Sequence, residues 1–363
     1  MTTIKVSDIV TYLNNFVNPA LAYHWDNVGF QLGDANNDVN KILLTLDVTE
    51  NAINKAIEQN CDMIISHHPF IFKPIKKITN PNYIRLIKHN IAVYCAHTNL
   101  DVINGGVNSV LAHKLGLEIE EFISEESGSN SLQIAVYVPQ DSAEIVANAV
   151  LAAGAGRIGN YTHCLASSLV KGQFMPNENS NPTIGEANKL ETISEVKLEF
   201  FVDSILLTKV LKALKKAHPY ETPVYAIYPQ GNSSNFGLGV IGNLKEPKTM
   251  KNFAQSVKQQ LNAPTISLWP AQKDENMMIK KVAICGGSGS SLLNKLHGRA
   301  DIFVSADFTY HTILDSRIPL IDAGHFYTEN PALDILEEVL AEFECEIIKL
   351  DFNEHEISKM INI

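Results

Sequence analysis

Strand-length apolar runs alternate with helical patterns at both ends of this 363-residue chain, and four of the runs stop directly before residues that ligate metals. The segments are Ser66-His67-His68-Pro69, Cys95-Ala96-His97-Thr98-Asn99-Leu100-Asp101, Ala306-Asp307 and Gly324-His325-Phe326-Tyr327-Thr328-Glu329. In an open parallel α/β sheet, ligands bind outside the carboxyl ends of the strands, so residues distant in sequence converge there when each follows its own strand. A set of imidazoles and carboxylates gathered in this way suits one or two divalent transition metals, and carboxylates can bridge a pair.

The pattern places an α/β domain at both ends of the chain and a different module between them. In the first third, a helix capped by Ser7 runs to about Phe16. Strands are expected over Lys41 to Leu46, Asp62 to Ile65 and Ile91 to Cys95, with helices near Asn51 to Gln59, Tyr83 to His89 and Val107 to Leu115, the last closed by Gly116. The acidic, turn-rich stretch from Glu120 to Asn130 reads as a boundary, and Gly231-Asn232-Ser233-Ser234-Asn235 as a second. Between them, strands near Leu132 to Val138, Tyr161 to Ser167, Val196 to Val202 and Val224 to Tyr228 flank helices Ala143 to Ala153 and Leu206 to Ala217. These two β-α-β halves suggest a ferredoxin-like α+β module. After the second boundary the alternation returns. Helices are expected over Thr249 to Leu261, Ser290 to Leu296 and Phe308 to Leu314, and strands over Lys281 to Cys285, Asp301 to Val304, Pro319 to Ile321 and Cys345 to Leu350. Thr328 is expected to cap one long helix through Phe343.

Each site segment also has an ordinary structural reading. Neighbouring histidines on an extended backbone point to opposite sides, so His67 and His68 share a site only if the chain turns, as Pro69 allows. His97 and Asp101 precede the flexible Asn104-Gly105-Gly106, and His325 and Glu329 repeat the same spacing. Neither pattern is specific alone, and Glu329 also suits a helix N-terminus. Asp47, Asp307 and His311 are weaker candidates, since an aspartate after a strand commonly caps the next helix. Cys285-Gly286-Gly287-Ser288-Gly289-Ser290-Ser291 reads either as an anion-binding loop or as a plain glycine-rich turn. It matches neither G-x-G-x-x-G nor a Walker A loop.

Forty acidic residues against 29 basic ones give a formal charge of −11, which argues against broad nucleic-acid binding. Lys73, Lys76 and Lys77 read first as a solvated loop. Five cysteines without a C-x-x-C pair indicate neither a disulfide framework nor a thiolate zinc site, and are expected as buried small hydrophobes. No run reaches the roughly 20 apolar residues of a membrane span, and the amino terminus lacks an apolar signal core, so a cytoplasmic location is expected. No G-x-S-x-G elbow supports a serine hydrolase.

Taken with Trp25-Asp26-Asn27-Val28-Gly29, these segments give a chain that resembles the Nif-three-like dinuclear metal-centre family, whose members are described as GTP cyclohydrolase 1 type 2 homologs. The resemblance implies a Nif-three-like α/β domain in two parts, residues 1–126 and 233–363. A PII/CutA-like insertion, residues 127–232, would carry His218-Pro219-Tyr220-Glu221-Thr222-Pro223. It implies two divalent ions, zinc, iron or manganese, held by His67, His68, Asp101, His325 and Glu329, with Glu329 bridging. His97, or less readily His311, would shuttle protons as a catalytic residue rather than a ligand. The implied activity is hydrolytic, with GTP or another phosphorylated metabolite as substrate, and the implied assembly is a homo-oligomer of hexamer type. A metal-dependent phosphoesterase and a non-catalytic metal-binding regulator remain the alternatives.

Overall fold

The computed structural model describes residues 3–125, 131–158, 161–229, 236–350 and 355. The chain divides into two compact units, Met1–Glu125 with Phe236–Ile363, and Glu126–Asn235. Strands β1 (Gly29–Leu32), β2 (Lys41–Thr45), β3 (Met63–Ser66), β4 (Ala92–Cys95) and β5 (Leu117–Glu125) open the first unit. Strands β6 (Ser131–Pro139), β7 (Leu165–Phe174), β8 (Glu191–Asp203) and β9 (Tyr225–Pro229) belong to the second. The first unit resumes with β10 (Gly237–Thr249), β11 (Ser267–Trp269), β12 (Met278–Ser288), β13 (Ile302–Ala306), β14 (Leu320–Asp322) and β15 (Glu346–Lys349).

The first unit is a mixed α/β structure with two sheets. One has the order β1-β4-β3-β2-β15, with β15, β2, β3 and β4 parallel and β1 antiparallel at the edge. Strands of a parallel sheet covered on both faces read as continuous apolar runs. Here Ile42, Leu44, Met63, Ile65 and Tyr94 pack with Ile9, Leu13 and Leu336 on one face, while Leu43, Ile64 and Val93 meet Ala52, Ile53 and Leu86 on the other. The second sheet has the order β11-β14-β13-β12-β10-β5, parallel only over β12, β13 and β14. Its faces are covered by Phe253 and Val257 on one side and by Leu292 and Leu296 on the other. The carboxyl ends of β3, β4, β13 and β14 carry the four site segments.

Several elements differ from the sequence reading. The acidic boundary from Glu120 is strand over its first half: Glu118 and Glu120 point to solvent while Leu117 and Ile123 are buried, and β5 pairs antiparallel with β10. The rest of that stretch, 126–130, and the second expected boundary at 231–235 lie outside the described residues. β10 carries no strand signature because glycines interrupt it. A Cβ on Gly237 or Gly242 would meet backbone oxygens of Ser124 or Glu118 at 2.6 and 2.7 Å, so close pairing with β5 requires glycine there. The first helix is Val6–Phe16; Lys5 caps it, and its backbone N–H donates to Asp8 at 2.8 Å, with Ser7 inside the helix. The expected long helix from Thr328 is two, His325–Glu329 and Ala332–Leu340, because Pro331 has no N–H to give the carbonyl four residues back.

The second unit runs β-α-β-β-α-β, with an all-antiparallel sheet ordered β7-β8-β6-β9. Helices Ala143–Ala152 and Leu207–Ala217 bury Val146, Val150, Val210 and Leu214 against Ile134, Val136, Leu198 and Phe200. Its second strand begins later than the Tyr161 expected for it and is longer. Among the described residues no helix is long and apolar enough to cross a membrane.

Candidate metal centre

The turn that His67 and His68 require is present. The Ser66 hydroxyl donates to the His68 carbonyl at 2.8 Å, and the backbone N–H groups of His67 and His68 donate to Thr45 and Leu46 of the neighbouring strand segment. Both imidazoles therefore face one pocket, with ring centroids 5.1 Å apart. β4 delivers His97 and, through the short helix Thr98–Asp101, the carboxylate of Asp101. β14 leads through Gly324, at φ +80°, into the helix that carries His325 and Glu329 on one side.

Four histidines show the same polarity. His67 Nδ1–H donates to the Ala96 carbonyl (2.8 Å), His68 Nδ1–H to Asp47 (2.8 Å), His97 Nδ1–H to Asp26 (2.9 Å) and His325 Nδ1–H to Asp307 (2.6 Å). Each Nε2 is thereby left for the pocket, the arrangement by which outer hydrogen bonds orient metal-binding imidazoles. His68 Nε2 and His325 Nε2 both lie 2.9 Å from Glu329 Oε2. His67 Nε2 stands 3.9 Å from Glu329 Oε1 and 3.6 Å from Asp101 Oδ1.

The donor set tests whether a cation fits. His67 is fully buried, its Nδ1 proton is committed to a carbonyl that can only accept, and its Nε2 has no hydrogen-bond partner. That lone pair faces two carboxyl groups which, when both are ionised, also offer only lone pairs, an arrangement that a divalent cation satisfies. Two overlapping groups have ligand atoms within 4.8 Å of one another, His67 with His68 and His97, and His68 with His325 and Glu329. These clusters could hold metal ions.

The electrostatics follow from burial and these contacts. Burial holds His67 down at about 4, in its neutral form. Burial also acts to lower His68, but hydrogen bonds to Asp47 and Glu329 lift it to about 10. The bond to Glu329 raises His325 to about 9. Burial opposes ionisation of Glu329, yet hydrogen bonds from His325 and His68 hold its pKa well below the usual range. Burial and the charge of Glu329 push Asp101 upward. Asp26, against the cost of burial, is held at about 2 by His97 and by the amide and hydroxyl of Thr98.

His67, His68, His97, Asp101, His325 and Glu329 are therefore gathered in one pocket. Expected beside the metals, His97 is placed at ligand distance from His67 and His68. Asp47 and Asp307 stand behind His68 and His325, where their carboxylates fix the rings. His311 is not brought in: it is exposed on the helix Tyr310–Asp315, its ring against Tyr310. The three glycines of the segment cannot cradle an anion, because their amides are already used. Gly286 N–H donates to Asn108, Gly287 N–H to Thr328 and Gly289 N–H to Ser305. Gly287 instead makes room, since a Cβ there would sit 2.1 Å from Glu329 Oε1. Of the cysteines, Cys61, Cys95 and Cys285 are buried as expected, whereas Cys164 and Cys345 are partly exposed.

The sequence reading assigned no role to Asp26 or His355, and Thr328, expected as a helix cap, instead accepts the Gly287 N–H at 3.0 Å. Asp26 follows Trp25, whose half-exposed ring stacks on Tyr23 (5.6 Å) and lies 6.3 Å from His97. His355 Nε2–H reaches the second oxygen of Asp47 at 3.3 Å. Spacing offers no signal for Asp26 and His355, because they act across the fold on other side chains.

With this geometry in place, the relatives are informative. A protein of Staphylococcus epidermidis named GTP cyclohydrolase 1 type 2 homolog is 38% identical over 345 residues, covering 93% of each chain. A Bacillus subtilis protein of the same name is 38% identical over 334 residues and 89% of each. The crystal structure of a Bacillus cereus protein related to NIF3 superposes with a TM-score of 0.81 at 34% identity, covering 98% of both chains. The Duf34/NIF3 (NGG1p interacting factor 3) family pattern matches residues 4–357, and this chain belongs to that family.

Proposed function

We propose that this chain is a dinuclear metal-dependent hydrolase that opens the imidazole ring of guanine in GTP and releases formate. The observation that carries the metal reading is the buried His67 Nε2 lone pair, set without a hydrogen-bond partner against Asp101 and Glu329. His67, His68, Asp101, His325 and Glu329 would hold the two ions, with Glu329 shared and His97 adjoining the first. Such a pair supplies Lewis-acid activation of water at neutral pH. The substrate reading is supported by the names of the relatives.

The protein's own groups have separable parts in this reaction. His97, with its Nδ1–H fixed on Asp26, turns Nε2 to the pocket and takes the proton from water as it adds to the C8 carbon of the guanine ring. The same imidazole returns a proton to the departing ring nitrogen, which leaves a formamide; a second water, added to that carbon in the same way, breaks the remaining C–N bond and releases formate with the protonated amine as leaving group. Trp25, about half exposed beside His97, and Phe72, 6.0 Å from it, offer faces on which the base can stack. The buried walls formed by Cys95, Cys285 and Ala96 exclude bulk water behind the ligands.

The central unit, with its β-α-β-β-α-β order, is the proposed PII/CutA-like insertion, 127–232, between the two parts of the Nif-three-like domain, 1–126 and 233–363. A homohexamer is the proposed assembly, and the mass of the purified protein in solution tests it. The activity is tested by measuring formate from GTP with metal-reconstituted protein, beside a His67→Ala/His68→Ala variant of verified fold. Formate from the wild type alone supports ring opening. Phosphate without formate moves the assignment to a phosphoesterase, and metal binding with neither product moves it to a regulatory protein.

A further inference from the structure

The second unit encloses a cavity of about 390 Å³, built from the end of β7, the segment around Ser180 to Ile184 and the turn after His218. That size accommodates a small metabolite. Two hydrogen bonds fasten the segment over the turn: Asn181 N–H donates to Glu221 Oε1 at 3.3 Å and the Thr183 hydroxyl to the Pro219 carbonyl at 2.7 Å.

The chemistry of the lining is one-sided. Glu195 contributes a carboxylate while only 7% exposed, and Glu221 adds a second at the exposed rim. Among the described residues no lysine, arginine or histidine lines the cavity. The Tyr220 hydroxyl donates to Glu195 Oε1 at 3.0 Å, and no other described group donates to that carboxylate. Nearby His218 is not its counter-ion: His218 Nε2–H donates to the Tyr137 carbonyl, while Nδ1 accepts the Tyr220 N–H at 3.1 Å, so the ring is neutral. The place of Glu195 is built, because a Cβ on Gly172 would stand 2.0 Å from its Oε2. Phe174 and Tyr220, with ring centroids 6.2 Å apart, supply aromatic surface beside it.

A carboxylate buried without a cation beside it carries a desolvation cost that a cationic N–H donor relieves, and aromatic faces attract the same charge. Two carboxylates and no base would repel a phosphate. We propose that this cavity binds a small organic ammonium with an apolar arm, anchored on Glu195, and that it does not bind nucleotides.

The full-length protein is titrated calorimetrically with phenethylamine and isoamylamine, with their N-acetyl derivatives, and with AMP. Saturable binding of an amine in the millimolar range or tighter is expected, with the N-acetyl derivative at least about tenfold weaker. Glu195→Gln keeps an acceptor for the Tyr220 hydroxyl and is expected to weaken amine binding about tenfold or more. Tyr220→Phe keeps the charge and is expected to retain binding, which separates loss of charge from disturbance of the cavity. Unchanged metal content and melting temperature in both variants confirm the fold. Absence of amine binding, equal binding of the acetylated forms, preference for AMP, or full binding by Glu195→Gln would each overturn the proposal.

Discussion

Two imidazole Nε2 atoms lie 2.9 Å from one oxygen of Glu329, and a third lies 3.9 Å from the other oxygen. Glu329→Gln preserves shape but removes the carboxylate charge that the two proposed ions would share, so metal content per subunit is expected to fall, as read by elemental analysis; full retention would sink the shared-ligand role. Asp47→Asn and Asp307→Asn leave the ligands in place but loosen His68 and His325, and metal affinity is expected to drop by about 10- to 100-fold. Proton linkage gives a further expectation. Without metal, His68 and His325 titrate near 10 and 9, so at neutral pH each carries a proton on the Nε2 that a metal needs. Metal uptake should therefore release protons, and affinity should rise with pH up to that range. Calorimetry in buffers of different ionisation enthalpy measures the release. Asp26 bears on stability: its folded value near 2 lies below the unfolded 3.8, so its contribution is complete above 3.8 and lost as pH falls toward 2. That contribution is about 2 kcal/mol, and Asp26→Asn should flatten the acid limb of a stability profile by that amount. His67, His68, His97, Asp101, His325 and Glu329 were legible because they follow, in pairs, the three apolar strands β3, β4 and β14. Asp26 and His355 were not, since their partners are distant in sequence and their surroundings carry no periodicity.

At the level of elements, alternation revealed β2, β3, β4, β12 and β13, whose side chains are apolar on both faces. It failed for β5 and β10, where outward glutamates and pairing glycines hide a strand behind the composition of a loop. The glycine segment at the end of β12 was open between an anion loop and a plain turn, and Asn108, Thr328 and Ser305 occupy the amides of its three glycines, as a plain turn allows. Gly287, at φ +59°, is the position where this matters most. Gly287→Ala adds about 1–2 kcal/mol of backbone strain and drives a methyl group into Glu329. Its expected signature is loss of metal out of proportion to a modest fall in melting temperature, seen by elemental analysis beside thermal denaturation.

Across the whole molecule, the chain leaves the first unit after Glu125 and re-enters it at Phe236, and Glu125 and Gly237 are register partners in neighbouring antiparallel strands. The central unit thus occupies the place of a hairpin turn. Replacing residues 126–235 with Asn-Gly, which together with Phe236 makes a three-residue hairpin loop between Glu125 and Gly237, is expected to yield a folded first unit with wild-type metal stoichiometry. An insoluble or metal-free product would show that the first unit depends on the second. The pairing of β15 with β2 has another consequence, one of timing. β2 emerges from the ribosome about 300 residues before its parallel neighbour. At synthesis rates of about 5–20 residues per second, the edge Lys41–Thr45 waits roughly 15–60 seconds for its partner. His67 and His68 wait nearly as long for Glu329, so newly made amino-terminal segments offer histidines and an open strand edge to whatever holds nascent chains apart.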